Sequence, residues 1–224
     1  MLRRMQLSPE CARVLGALVE KGLATPQQYP LTVNALQAAC NQTSNREPVV
    51  DYDETTVLAA LDELKDMKLV RFVLPSHGRS VVRYRQVLDE TLGLDDHQCA
   101  ILAVLLLRGP QTIGELRIRT ERMAAFDDLQ AVQHELDLLH GREEPLADNV
   151  GRRAGQKEER WATTLAPVPE PDQPHQQSAP TTTATVAPVA AAHDDELRVE
   201  LEELRAEVAD LRQEMHELRE SLGG

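Results

Sequence analysis

One helix is written twice in this chain, and that internal repeat limits the architectures open to it. Moving Leu7–Gly22 forward by 87 positions places Leu7 on Leu94, Ser8 on Asp95, Val14 on Ile101, Leu15 on Leu102, Leu18 on Leu105, Lys21 on Arg108 and Gly22 on Gly109. The match resumes where Pro30-Leu-Thr-Val-Asn-Ala-Leu36 aligns with Pro110-Gln-Thr-Ile-Gly-Glu-Leu116, so the first copy carries seven extra residues between its first and second helices. A spacing this long is too great for a solenoid and fits two copies of one small domain.

In the first copy, Ser8-Pro9 supplies an N-cap followed by proline at the first helical position, with Leu7 placed to staple onto the first turn. Val14, Leu15, Leu18 and Val19 form the buried stripe, and Gly22 reads as the stop. Two prolines keep Thr25–Pro30 out of a helix. Thr32 caps a second helix through Cys40, with Val33, Leu36 and Ala39 inward. After the polar loop Asn41–Arg46, the spacing of Val57, Leu58, Leu61 and Leu64 predicts a third helix from about Asp53 to Met67. Leu69–Leu74 and Val81–Val87 are β-branched and aromatic runs joined by the breaker-rich turn Pro75–Arg79, which reads as a hairpin.

The second copy repeats the order: helices at Asp95–Leu107, Ile113 to about Arg122, and Asp127–His140 with Leu129, Val132, Leu136 and Leu139 as its stripe. Strands near Leu146–Val150 and Arg160–Leu165 flank a glycine-bearing wing, Gly151–Gly155. Ala147-Asp-Asn149 has little strand propensity, which makes the first of these strands the least supported. Three helices followed by a hairpin is the order of a winged helix. The expected fold is mainly α with small β-hairpins (α+β): two tandem winged-helix domains at residues 1–92 and 93–165.

Tyr29–Leu36, Ala39–Val49 and Leu107–Arg119 together resemble the YceH family of uncharacterised bacterial proteins. The likeness covers about residues 7–165 and implies a tandem winged-helix fold, in agreement with the repeat. It implies no established activity, so no catalytic residues carry over. The second wing, Arg152–Arg160, is longer than the family pattern, and the chain beyond 166 lies outside the likeness.

Composition narrows the function classes. The longest apolar run, Cys99–Leu107, is far short of the ~20 residues of a membrane span. The N-terminus, Met-Leu-Arg-Arg-Met-Gln, leads at once into a helix start and lacks a signal-peptide pattern, so no membrane association and a cytoplasmic location are expected. Cys11, Cys40 and Cys99 are odd in number and lack a Cys-x-x-Cys pair, which fits small buried side chains better than a disulfide framework or zinc site. The seven histidines are dispersed, and the sequence holds no metalloprotease helix, phosphate loop or nucleophile elbow. Asp62, Glu63 and Asp66 are most simply a solvated face. No catalytic, cofactor-binding or metal residue is assigned, and the chain reads as a non-enzyme.

Two classes of partner stay open: by analogy of fold the first reading is DNA-associated, transcription-regulatory function, and the alternative is a protein partner. Residues 1–93 hold 11 Lys+Arg against 11 Asp+Glu, residues 94–165 hold 9 against 13, and residues 166–224 hold 4 against 13, so the net charge of -13 sits mostly in the tail. Asp53–Met67 carries five acids and one lysine, and Asp127–His140 four acids and no lysine or arginine. A winged helix that places its third helix in the major groove would set these carboxylates against phosphate. Basic residues gather elsewhere: Arg46 beside the third helix; Arg79, Arg83 and Arg85 on the first wing; Arg117, Arg119 and Arg122 on the second helix of copy two; and Arg152, Arg153, Lys157 and Arg160 on the second wing. Gln42, Asn45, Arg46, Arg79, Arg83, Arg117, Arg119, Arg152 and Arg153 are therefore the candidate contacts. On the DNA reading the arginines of the wings supply the phosphate contacts. On the rival reading the paired winged helices are a protein-interaction scaffold whose acidic helices meet a basic partner. The plainest alternative is that Asn41 and Asn45 only shape the backbone and the arginines balance nearby acids.

Residues 166–193, with six prolines among Gln, Thr, Ala and Ser, read as a disordered spacer. In 194–224 a heptad appears: Leu201, Val208, Met215 and Leu222 at a, and Leu197, Leu204, Leu211 and Leu218 at d. Arg198, Arg205, Arg212 and Arg219 then fall at e, and Glu200, Glu207 and Glu214 at g. Parallel helices pair Glu200 with Arg205, Glu207 with Arg212 and Glu214 with Arg219 between chains, whereas antiparallel helices oppose like charges. Each exposed pair contributes about 0.2–1 kcal/mol, and the like-charge penalty on the alternative adds to the preference. A parallel homodimer is expected, with a trimer or a matching foreign heptad as alternatives. Light scattering at micromolar concentration is expected to show a dimer for the full chain and a monomer for residues 1–165. Arg205→Glu, Arg212→Glu and Arg219→Glu together are expected to abolish association at low salt, and a chain with Glu200→Lys, Glu207→Lys and Glu214→Lys to restore it on mixing.

Overall fold

In the computed structural model six helices each open on a side-chain cap. Described are residues 6–73, 81–152 and 155–167; the turn at Pro75–Arg79, Arg153, and the expected spacer from 168 onward and coiled coil lie outside them. Helices α1 (Pro9–Ala24), α2 (Val33–Cys40) and α3 (Glu54–Asp66) precede strands β1 (Val70–Val73) and β2 (Arg83–Gln86). A one-turn helix, α4 (Leu88–Leu92), leads to α5 (Asp96–Arg108), α6 (Ile113–Thr120), α7 (Leu129–His140), β3 (Ala147–Arg152) and β4 (Glu159–Thr163). Ser8, Thr32, Asp53, Asp95, Thr112 and Asp128 each accept a backbone N–H in the first turn of their helix, at about 1 kcal/mol per cap. Thr112 and Glu115 add the reciprocal bond of a capping box. The fold is mainly α with two small antiparallel strand pairs, and no helix among the described residues is long and apolar enough to cross a membrane.

The repeat extends to backbone pairing. Leu31, just before α2, bridges Tyr84 in β2, and Gln111, at the aligned position before α6, bridges Trp161 in β4. Each hairpin thus gains one residue of a third strand that ties it to its own second helix. The doubtful strand β3 forms because a bulge absorbs its irregularity. Register shifts between Asn149 and Gly151, and the Asn149 side chain accepts the Gly151 N–H at 2.8 Å and donates to Glu159 at 2.8 Å.

The two copies share one core. α1 lies against α5, and buried side chains of both copies, from Val14, Leu15 and Leu18 to Ile101, Leu102 and Leu105, form a single apolar cluster. The described residues all fall in one compact unit. Gly16 sets the approach: a Cβ there would stand 2.9 Å from Leu107 Cγ and 3.1 Å from Leu106 Cβ. A mid-helix glycine costs about 1 kcal/mol relative to alanine. Here it lets the helices close. The seam is held further by backbone bonds from Leu7 N–H to Leu165 O (2.7 Å) and Glu47 N–H to Leu107 O (2.9 Å).

Four sequence expectations are corrected. Gly22 does not stop α1, which runs two residues further to Ala24. The seven-residue insertion supplies that extra length, and the Tyr29 ring packs back over Gly22, 3.4 Å from where its Cβ would be. Gly109, followed at once by Pro110, does end its helix, at φ 70°. Leu58 and Leu129 are exposed (37% and 52%). Ala60 is buried on α3, and Phe126, from the loop before α7, is buried in the core cluster. The short α4 was not anticipated, since one turn carries no periodicity. The second copy's wing does not begin at Gly151, because Gly151 and Arg152 belong to β3.

Gly16→Val is expected to destabilise the fold by about 1–3 kcal/mol through overpacking of the α1–α5 seam, read as a lower denaturant midpoint with an unchanged slope.

Candidate functional site

The polar loop between α2 and α3 splits into an inward half and an outward half. Asn41 caps α2 and clamps the loop shut, its side chain donating to Tyr52 O at 2.8 Å and accepting the Tyr52 N–H at 2.9 Å. Arg46 turns inward. Its guanidinium is fully buried, donates to Ala39 O at 3.0 Å, and pairs with both carboxylate oxygens of Glu20 at 3.3 and 2.5 Å. The expectation that Arg46 is a surface contact is therefore corrected: burial and a bidentate partner commit it to the fold. Gln42 and Asn45 face outward. Asn45 adopts φ 61°, which asparagine tolerates better than most residues, and accepts a hydrogen bond from Arg108; Gln42 accepts from Lys21 at 3.4 Å.

These outward groups line a groove of about 560 Å³ on the α1–α5 seam. Its walls come from the end of α1, the polar loop, the end of α5, α6 and the turn after it, and they bring together Lys21, Arg108, Arg119 and Arg122. The acids on the groove are Glu20, which pairs with Arg46 and stands 3.6 Å from Lys21, and Glu121, while Glu115 stands 3.6 Å from Arg119 just outside it. The balance is positive. Burial lowers the pKa of Arg108, and the neighbouring charge of Arg119 pushes the same way, against the opposing charges of Glu47 and Glu20. Lys21 and Arg108 were not singled out from the sequence. The signal was the repeat itself, which places them at equivalent positions at the ends of the two first helices.

The other candidates are dispersed. Arg83 is exposed and donates to Pro30 O at 2.8 Å; Arg117 donates to Phe126 O and Asp127 O, tying α6 to the loop before α7. Arg152 is exposed, 3.6 Å from Glu159. Arg79 and Arg153 lie outside the described residues. Arg160 is not a wing cation at all. It is buried against Glu115 (2.8 Å) and Pro110 O (2.8 Å). Burial alone would raise the Glu115 pKa, but the Thr112 N–H and the charges of Arg119 and Arg160 outweigh it and hold the carboxyl below its ordinary value. On α3, Glu54, Asp62, Glu63 and Asp66 are exposed, a solvated acidic face.

Cys11, Cys40 and Cys99 are buried free thiols, pushed up to about 12 by burial, with Glu63 contributing at Cys11. Thiols so shifted stay protonated near neutral pH and are poor nucleophiles. Among the described residues no group of three or more His, Cys, Asp or Glu side chains is placed to hold a metal ion.

Residues 7–156 match a family model described as "Protein of unknown function, DUF480". The chain belongs to this family. It is similar to UPF0502 proteins of Geotalea uraniireducens (51% identical over 166 residues, 74% of this chain and 75% of the relative), Pelobacter propionicus (53% over 154 residues, 69% of each) and Geobacter sulfurreducens (53% over 158 residues, 70% and 71%). The matched region contains α1 through β3 and the whole groove.

Arg46→Ala is expected to lower stability by about 3–5 kcal/mol by stripping Glu20 of its buried partner. A stability loss below about 1 kcal/mol in chemical denaturation would contradict the structural assignment.

Proposed function

We propose that this chain is a non-catalytic tandem winged-helix protein of the cytoplasm that associates with DNA in a regulatory role and is dimerised by residues 194–222. The observation that carries the reading is the groove in which Lys21, Arg108, Arg119 and Arg122 converge beside Gln42 and Asn45. Cations with amide side chains between them suit the phosphates of a nucleic-acid backbone. The reading places contact at the seam and at the exposed arginines of the hairpins, Arg83 and Arg152, and keeps α3 away from the duplex, because its carboxylates would face phosphate.

A second reading, a protein-interaction scaffold, has its own support. The first hairpin exposes Phe72 (49%) and Val81 (66%), and α6 exposes Ile118 (73%). Apolar side chains in solvent suit a protein surface better than a phosphate backbone.

Fluorescence anisotropy with mixed-sequence duplexes across a salt series separates the two. Binding is expected to weaken steeply with salt, and Lys21→Gln, Arg108→Gln, Arg119→Gln and Arg122→Gln together to reduce the slope by roughly one unit per lost contact for every sequence tested. No binding by the wild-type chain at low salt would remove the DNA reading and leave the scaffold.

A further inference from the structure

The α1–α5 seam has a second cavity, walled differently from the groove. It measures about 230 Å³ and is mostly apolar, with Pro48, Tyr52, Leu106, Ala162 and Ala166 among its walls and the exposed Glu47 at its edge. Arg13 also lines it, on α1. Arg13 is 3% exposed; its guanidinium donates to Cys40 O (3.3 Å) and Pro48 O (2.5 Å), while its Nε is buried with no hydrogen-bond partner. No carboxylate lies within ion-pair distance of it among the described residues. A buried charge without a counter-ion is costly, and an unmet buried donor calls for an explanation.

The internal repeat shows that the fold does not require this charge. Position 13 aligns with Ala100, which is fully buried in α5. The same helix packs with a methyl group in one copy and a guanidinium in the other. The two backbone carbonyls account for part of the arginine's hydrogen bonding and for none of its charge. An anion would supply the missing partner, and apolar walls ask that the rest of the ligand be apolar. Size sets the scale: an engineered apolar cavity of about 150 Å³ accommodates benzene, so 230 Å³ holds a single ring with one small substituent.

We propose that this cavity is a binding site for a small apolar carboxylate, of the size of an aromatic acid, whose carboxylate pairs with Arg13. Its walls come from both copies of the repeat, so the ligand bridges them across the seam. The site is independent of whether the groove binds nucleic acid.

The test uses the full chain with benzoate, and benzyl alcohol as a neutral match, in isothermal titration calorimetry. Benzoate is expected to bind with one site per chain and at least tenfold tighter than benzyl alcohol. Arg13→Gln is expected to erase that preference. Because Arg13 also holds two carbonyls, a second variant guards against misfolding: Ala166→Phe at the cavity edge is expected to keep the melting temperature and lose benzoate binding. Equal affinity for the two probes, no benzoate binding at millimolar concentration, or full binding by Ala166→Phe would each overturn the proposal.

Discussion

The close approach of α1 to α5 is the constraint on which the rest of the structure depends. Each copy of the repeat is a small three-helix unit with a hairpin, and each leaves an apolar stripe on its first helix that three helices alone do not cover. Pairing the two first helices buries both stripes in one cluster. Gly16 makes the pairing close, since any side chain there meets Leu106 and Leu107. The groove and the cavity follow from it. Both are lined by residues of α1 and α5, and neither would exist in one copy alone.

Much of this was legible because it is local. Caps, prolines at first positions and 3.6-residue periodicity act within a few residues, so α1, α2, α3, α5 and α7 stand within about a turn of their expected bounds. What went unread depends on contacts distant in sequence. Gly22 and Gly109 occupy equivalent positions after equivalent helices, yet only Gly109 terminates one, because Tyr29 folds back over Gly22 and the insertion carries the chain onward. Leu58 and Leu129 have the right spacing for the core but sit on its flank, where Ala60 and Phe126 were better placed.

Charge was the least legible property. Arg46, Arg160 and Arg119 look alike in sequence, but the first is buried on Glu20, the second is buried on Glu115, and the third, 3.6 Å from that same Glu115, keeps its place at the groove beside Arg108. Partner choice by a long side chain is decided by tertiary distance, which the sequence does not list. Only the repeat carried a usable signal, through the equivalence of Lys21 and Arg108.

The departures from that equivalence are as informative as the agreement. Arg13 faces Ala100 in the alignment, and Glu20 faces Leu107. In both places the first copy has a charge where the second has a buried hydrocarbon; Arg13 is buried as well, while Glu20 is partly exposed at the groove. Glu20 is answered by Arg46, a residue of the loop that shapes the groove. Arg13 has no such answer among the described residues. The two copies share their packing but differ in charge at the seam between them. The pairing of α1 with α5 thus serves two ends, covering the core and presenting polar chemistry at a junction that neither copy forms by itself.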